Sequence, residues 1–160
     1  MVDPKVLDAV TALGVPYEAL ACDPSLADTA AFCEHYGVEI PDACNAIVVA
    51  VKTEPRSYIA CLVRADTKID VNRKLSAIAG TKKLSFAQAE ETAALTGQMI
   101  GGVTIFALPE NIPILIDERV MERESIVVGG GNRSSKIRID PHALERLPNA
   151  RVVDISIPRG

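Results

Sequence analysis

The sequence predicts an α/β domain of the α+β kind: a mixed, largely antiparallel sheet of about seven strands flanked by helices. Apolar, β-branched runs recur in adjacent pairs split by turn residues, which is the pattern of hairpins. Helix starts and stops fall irregularly between those pairs instead of once per strand, so a doubly wound parallel sheet fits poorly. No internal repeat, low-complexity tract or linker divides the chain, so one domain over residues 1–160 is expected.

Capping chemistry sets the helix boundaries. Asp3 followed by Pro4 reads as an N-cap with proline in the first helical position, where its missing N–H costs nothing. The stretch "SLADTAAFCEHYG" gives a second helix closed by Gly37, and "DVNRKLSAIAG" a third, capped by Asp70 and closed by Gly80. Ser85 with Gln88 reads as a capping box opening "FAQAEETAALTG", with Gly97 as its stop. Asp140 with Pro141 repeats the opening device.

Strands occupy most of the rest. "NAIVVAVKT" and "SYIACLVRA" form a predicted hairpin across "EPR". "GVTIFAL" and "IPILIDE" form a second pair around Pro109 and Pro113, "SIVVGGG" and "SKIRID" a third around the glycines, and "ARVVDISI" closes the chain.

Composition narrows the function classes. At 160 residues the chain can bury roughly 70% of its unfolded surface, and 48% apolar with 24% charged residues is average for a globular protein. No run reaches the ~18 apolar residues of a membrane span, and the N-terminus lacks a signal-peptide pattern, so a cytoplasmic location is expected. The cysteines at 22, 33, 44 and 61 form no C-x-x-C pair, and only two histidines, His35 and His142, accompany them. That pattern predicts buried thiols and no metal site.

A net charge of -4 argues against a generally basic nucleic-acid-binding surface. Arg133, Lys136 and Arg138 nevertheless lie close together, as either a solvated face or a local phosphate-binding patch. The P-loop pattern, the G-x-G-x-x-G fingerprint and the G-x-S-x-G elbow are all missing, and neither histidine pairs recognisably with a serine or cysteine.

Two glycine clusters remain. Gly101 and Gly102 leave backbone N–H groups accessible and permit positive φ, which suits either an anion-binding concavity or a tight hairpin entry. Gly129, Gly130 and Gly131 in a row cost ~0.5–1 kcal/mol each relative to alanine, which points to a positional requirement. Asp117, at the end of "PILID", reads as either a polar end-cap or a site carboxylate.

The arrangement "TG...GGVTIFAL....IPILIDE........VVGGGNRSSKIRI" resembles the YbaK family of aminoacyl-tRNA editing domains, which also occur attached to prolyl-tRNA synthetases. The resemblance runs from the strand at residue 46 to the closing "VVDI" and includes "TKIDVNRKLSAIAGTKKLSFAQAEE". It implies a curved sheet flanked by helices and deacylation of mischarged tRNA without a metal or organic cofactor. The implied partners are the 3′ end of aminoacyl-tRNA and a cognate synthetase, with no membrane and no DNA. Gly101 and Gly102 as backbone donors and Asn45 as a polar contact are the implied catalytic group; Asp117, Phe106, Ile105, Gly130, Arg133 and Lys136 are the implied substrate-binding group.

The chain departs from the family pattern in two places. Where the family has A-K-[ST]-L-V, this sequence reads "CNAIV", with Asn45 at the lysine position and Ala46 where a hydroxyl is common. Where the family loop continues G-G-V-x-P-F-G, it reads "GGVTIFA", with Ile105 for proline and Ala107 for glycine. Three outcomes are compatible with those changes: editing with a reshaped pocket, binding of aminoacyl-tRNA or a small molecule without hydrolysis, or a degenerate structural relative.

Overall fold

The strands fall into three sheets. The computed structural model describes residues 1–159. Its order is α1 (Pro4–Ala12), β1 (Tyr17–Ala21), α2 (Thr29–Tyr36), β2 (Cys44–Val51), β3 (Ser57–Arg64), β4 (Thr67–Ile69), α3 (Ser76–Ala79), β5 (Leu84–Phe86), α4 (Ala89–Thr96), β6 (Ile114–Asp117), β7 (Ile126–Gly129), β8 (Ser135–Ile139), β9 (Ala150–Val153) and β10 (Ser156–Pro158). A five-stranded sheet has the order β5-β2-β3-β6-β9, a three-stranded sheet β1-β8-β7, and a ribbon pairs β10 with β4.

The predicted hairpins at β2/β3 and β7/β8 are present and antiparallel. The cap readings at Asp3, Asp70 and Asp140 also hold, since each carboxylate accepts a backbone N–H from two or three residues onward. Gly37, Gly80 and Gly97 close their helices in the left-handed region. A π turn, Val71–Leu75, runs into α3 and completes the predicted third helix.

Four expectations are corrected. "GVTIFAL" is not a strand: the buried Gln98 side chain accepts from Thr104 N–H at 3.0 Å and donates to the Phe106 carbonyl at 2.9 Å, doing the work of a ladder neighbour. Ala107 then takes φ of 61°, which ends any extended run. β6 accordingly has no hairpin partner and pairs in parallel with β3 and β9. Ser85 lies within β5 opposite Ala50, so α4 begins without a side-chain capping box. "ARVVDISI" splits into β9 and β10, which belong to different sheets.

Alternation along the central strands divides the core. On β3, Ala60 and Leu62 face the main cluster while Ile59, Cys61 and Val63 face a second; on β6, Ile114 and Ile116 oppose Leu115 in the same way. The main cluster fills the space between the five- and three-stranded sheets, with Ile126, Val128, Ile137 and Ile139 from the latter. The second cluster is covered by Leu75 and Ile155. A third joins Phe32 and Cys33 of α2 to Ala43 and Val127, which places α2 against the seam between the sheets.

Candidate functional site

The two glycine clusters pack against each other. Gly101 and Gly131 adopt φ of 89° and 92°, and Gly131 donates its N–H to the Gly102 carbonyl at 2.7 Å. A Cβ on Gly102 would strike the backbone of Asn132, and one on Gly129 would strike the Gly102 and Val103 carbonyls. Both runs are therefore glycine because two backbones touch. The contact fixes residues 99–103 at the end of β7.

Beside that contact lies a cavity of about 230 Å3, walled by the first turn of α2, the start of β2, the end of β7, the glycine loop and Lys136. It sits where β2 lacks a neighbour. β5 pairs only with Val49–Val51, and β7 packs beside β2 with a single bridge, Ala43–Val127, just before the strand begins. The Val48 carbonyl accepts from Ala87 N–H at 2.9 Å. Strand alternation then turns the N–H and C=O of Ala46 to that same edge, into the cavity.

Side chains add further donors. The Thr29 hydroxyl donates to Asn45 Oδ1 at 2.6 Å, and Asn45 Nδ2 has no partner among the described residues. Lys136, only 8% exposed, donates from Nζ to the Ala27 carbonyl at 2.8 Å and the Gly101 carbonyl at 2.7 Å. Its ammonium also lies 5.4 Å from the Phe32 ring centroid. Burial pushes its pKa down from the ordinary lysine value, helped by Arg133 and opposed by Cys22, Asp28 and Cys33. Two of the three ammonium protons are used, leaving one N–H.

Gly101 N–H makes no hydrogen bond among the described residues. Four residues lining this space carry an N–H group without a partner among the described residues: Asn45 at Nδ2, Ala46 and Gly101 at the main chain, and Lys136 at its third ammonium proton. The Asp28 carboxylate borders the same space, 3.2 Å from Arg133 Nη1. Phe32, Ile47, Val103 and Val127 supply apolar wall. Such a set suits a ligand with a polarised carbonyl or anionic oxygen, a cationic group and a short apolar side chain.

Nothing lining the cavity is an activated nucleophile. Cys44 reaches it, but burial pushes that thiol up to about 12. Neither histidine borders it. Among the described residues no cluster of His, Cys, Asp or Glu is arranged to hold a metal ion.

Of the residues expected from sequence, Asn45, Gly101 and Lys136 meet at the cavity. Gly102 does not offer its amide, which donates to the Met99 carbonyl at 2.9 Å. Ile105 and Phe106 are 1% and 0% exposed in the main cluster, and neither lines the cavity. Gly130 lies under the loop, with its carbonyl accepting from Asp3 N–H. Asp117, wholly buried, accepts from Ile155 N–H at 3.0 Å and from Ser156 N–H and Oγ at 3.2 and 2.8 Å, so it ties β6 to the β9–β10 corner. Arg133 is bound to the Pro24 and Ile100 carbonyls and to Asp28, strapping the loop to the approach of α2. Of the expected basic patch, Lys136 and Arg133 are thus engaged within the fold, while Arg138 lies apart, partly exposed beside Glu18 and Ser125.

Sequence reasoning missed Thr29, Asp28 and Phe32. Their only signal was the helix pattern itself, in which Asp28 stands at the N-cap position.

The Aminoacyl-tRNA editing domain family model matches residues 23–147, a span containing every residue placed at the cavity. A stretch of 70 residues, 44% of this chain, is 39% identical to the proline–tRNA ligase of Aquifex aeolicus (strain VF5), and covers 12% of that ligase's length. Among solved structures, one described as a hypothetical protein superimposes with a TM-score of 0.85 at 25% identity, over 96% of this chain and 99% of its own. Another, described as a candidate trans-editing enzyme for prolyl tRNA synthetase, gives 0.83 at 22% identity over 100% of both chains.

Proposed function

The chain belongs to the aminoacyl-tRNA editing domain family, and from that premise we propose that it is a trans-editing deacylase that hydrolyses the ester of mischarged tRNA. The observation that carries this reading is a cavity of about 230 Å3 lined by four residues with unpartnered N–H groups and by a carboxylate. Sites for drug-sized ligands run from ~300 Å3 upward, so this one suits the aminoacyl group of a small amino acid.

An aminoacyl ester is already activated, which matches a site without its own nucleophile. The ester carbonyl oxygen is set against Gly101 N–H and Asn45 Nδ2, where charge develops in the tetrahedral intermediate. The Lys136 ammonium adds positive potential and, through its bond to the Gly101 carbonyl, holds that residue's backbone in place. Asp28 receives the α-ammonium group of the amino acid. The attacking water is positioned by the Ala46 carbonyl; as its oxygen bonds to the ester carbon it passes a proton to the substrate's vicinal ribose hydroxyl, which hands its own proton to the departing ribose oxygen, so the C–O bond breaks to give the free amino acid and an intact ribose without a base from the chain. Selection rests on pocket size, because each methylene is worth only ~1–3 kcal/mol. Lys136 supplies the cation that Asn45 lacks.

One observation favours binding without turnover: the uncharged Asn45 stands where the family pattern has a lysine. Deacylation assays on tRNAs charged with alanine, cysteine, serine and other non-cognate amino acids separate the two readings. Turnover of at least one small aminoacyl ester is expected. Salt-sensitive tRNA binding with no turnover on any charged tRNA would replace the enzymatic reading with the binding one.

A further inference from the structure

With Arg133 and Lys136 engaged internally, the strand of nucleic acid that delivers the ester needs another seat. We propose that the groove over the β2–β5 edge, entered from the cavity across Ile47, binds the single-stranded 3′ end of tRNA, with Phe86 stacking a base and Lys68 meeting a phosphate. This rests on the deacylase reading for its biological substrate, but its physical basis is separate.

Continuity comes first. Ile47 lines both the 230 Å3 cavity and a larger groove of about 710 Å3. Phe86 pairs across strands with Val49, two residues along β2 from Ile47, so the three side chains share one face of the sheet. At ~3.3 Å per residue along β2 and ~4.8 Å across to β5, the Phe86 backbone lies roughly 8 Å from that of Ile47, on the scale of one nucleotide step.

Phe86 is 54% exposed although it sits on a paired strand. An exposed aromatic ring costs hydration unless something stacks on it, and every base has a face that does so. Cationic groups flank it. Lys68 is exposed and makes no ion pair among the described residues, and Arg159 lines the same groove with Nε donating to the Thr67 carbonyl at 3.0 Å. The one acid lining the groove, Asp70, is turned to the Arg73 N–H as a helix cap. Asn72 and Ser85 provide neutral hydrogen-bonding groups for base edges or ribose. An aromatic platform beside unpaired cations at a sheet edge is how single strands are held without sequence reading.

The test is binding of a short 5′-fluorescein-labelled RNA ending in CCA, followed by anisotropy across a salt series, to the full chain and to Phe86→Ala, Phe86→Tyr, Lys68→Ala and Lys5→Ala. Phe86→Ala is expected to weaken binding by about 5- to 100-fold, with Phe86→Tyr restoring it. Lys68→Ala is expected to lower the salt slope by ~0.7, the share of one phosphate contact on a single strand. Lys5→Ala, at an exposed position on α1 outside both the cavity and the groove, is expected to bind the oligonucleotide as the unaltered chain does. Unaltered affinity and salt slope in Phe86→Ala and Lys68→Ala, or no binding by the unaltered chain, overturns the groove. Oligonucleotide binding that depends on Phe86, together with no deacylation of any charged tRNA, overturns the deacylase reading while leaving the groove intact.

Discussion

Lys136 has a protonation state that separates its structural role from its chemical one. As an ammonium it has three N–H donors, of which two hold the Ala27 and Gly101 carbonyls. As a neutral amine it keeps two, enough for both carbonyls, and loses the one left for the substrate. Burial lowers its pKa below the ordinary 10.5, so that loss occurs at a lower pH than for a surface lysine. A hydrogen bond to a charged group contributes about 1.5–3 kcal/mol, hence kcat/KM should fall by roughly 10- to 150-fold as pH rises through the lowered pKa. Lys136→Met, which also leaves the Ala27 and Gly101 carbonyls without their donor, should show at least that loss at neutral pH and no further decline over that window. Stability moves the other way: between the lowered pKa and 10.5 the unfolded chain binds the proton and the folded chain does not, so this group's contribution to stability rises with pH. Single-turnover deacylation across the pH range, paired with thermal melts, measures both. Activity that climbs through this window in the unaltered chain, and not in Lys136→Met, would refute the donor role and assign the amine as a base.

Other substitutions test the remaining parts. Ala107→Gly relieves a non-glycine residue at φ of 61°; the strain of ~1–2 kcal/mol outweighs the added chain entropy, so Tm should rise by a few degrees in calorimetry. Asp117→Ala strips a wholly buried carboxylate from the Ile155 and Ser156 donors; a loss of ~3–5 kcal/mol and a Tm drop of roughly 10 °C are expected, with activity per folded molecule retained. Asn45→Ala removes one donor from the ester oxygen and should cost about 10²–10³ in kcat with little change in Tm. Burial pushes the Cys44 and Cys61 thiols from 9.0 up to about 12, so neither should react with a thiol reagent at neutral pH until the chain unfolds. Because those folded-state values are raised, their contribution to stability is full below pH 9.0 and is lost as pH climbs toward about 12, which melts over that range would record.

Much of the scaffold was legible because its signals are local. The β2/β3 and β7/β8 hairpins and the capped helices depend on residues within a few positions of each other. What was missed depends on long-range contact or contradicts propensity. β1, "YEALA", is made of helix-favouring residues and is extended only because it pairs with β8. "GVTIFAL" has strand composition, but the Gln98 amide satisfies its backbone locally and sends Ile105 and Phe106 into the core. Asp117 looked like a site carboxylate because its partners, Ile155 and Ser156, lie 38 and 39 residues away.

The candidate site follows the same logic. Spacing could show that Gly101 and Gly129–Gly131 needed special backbone, but not that each run needs the other. The inward turn of Lys136 was equally hidden, because in one dimension it belongs to a basic cluster and only the approach of Ala27 and Gly101 supplies its acceptors. Half of the donor set is main chain, from Ala46 and Gly101, and carries no residue-type signature at all. On the proposed reading, substitution at position 45 need not abolish the chemistry, because Lys136 of β8 and the backbone amides of Ala46 and Gly101 belong to residues that line the same cavity as Asn45. If that is the arrangement, Asn45→Lys places a second ammonium beside Lys136, lowers both affinities for protons, and should shift the alkaline fall in kcat/KM to lower pH instead of simply raising the rate; an unshifted profile with a higher plateau would mean that the two positions do not share one electrostatic site.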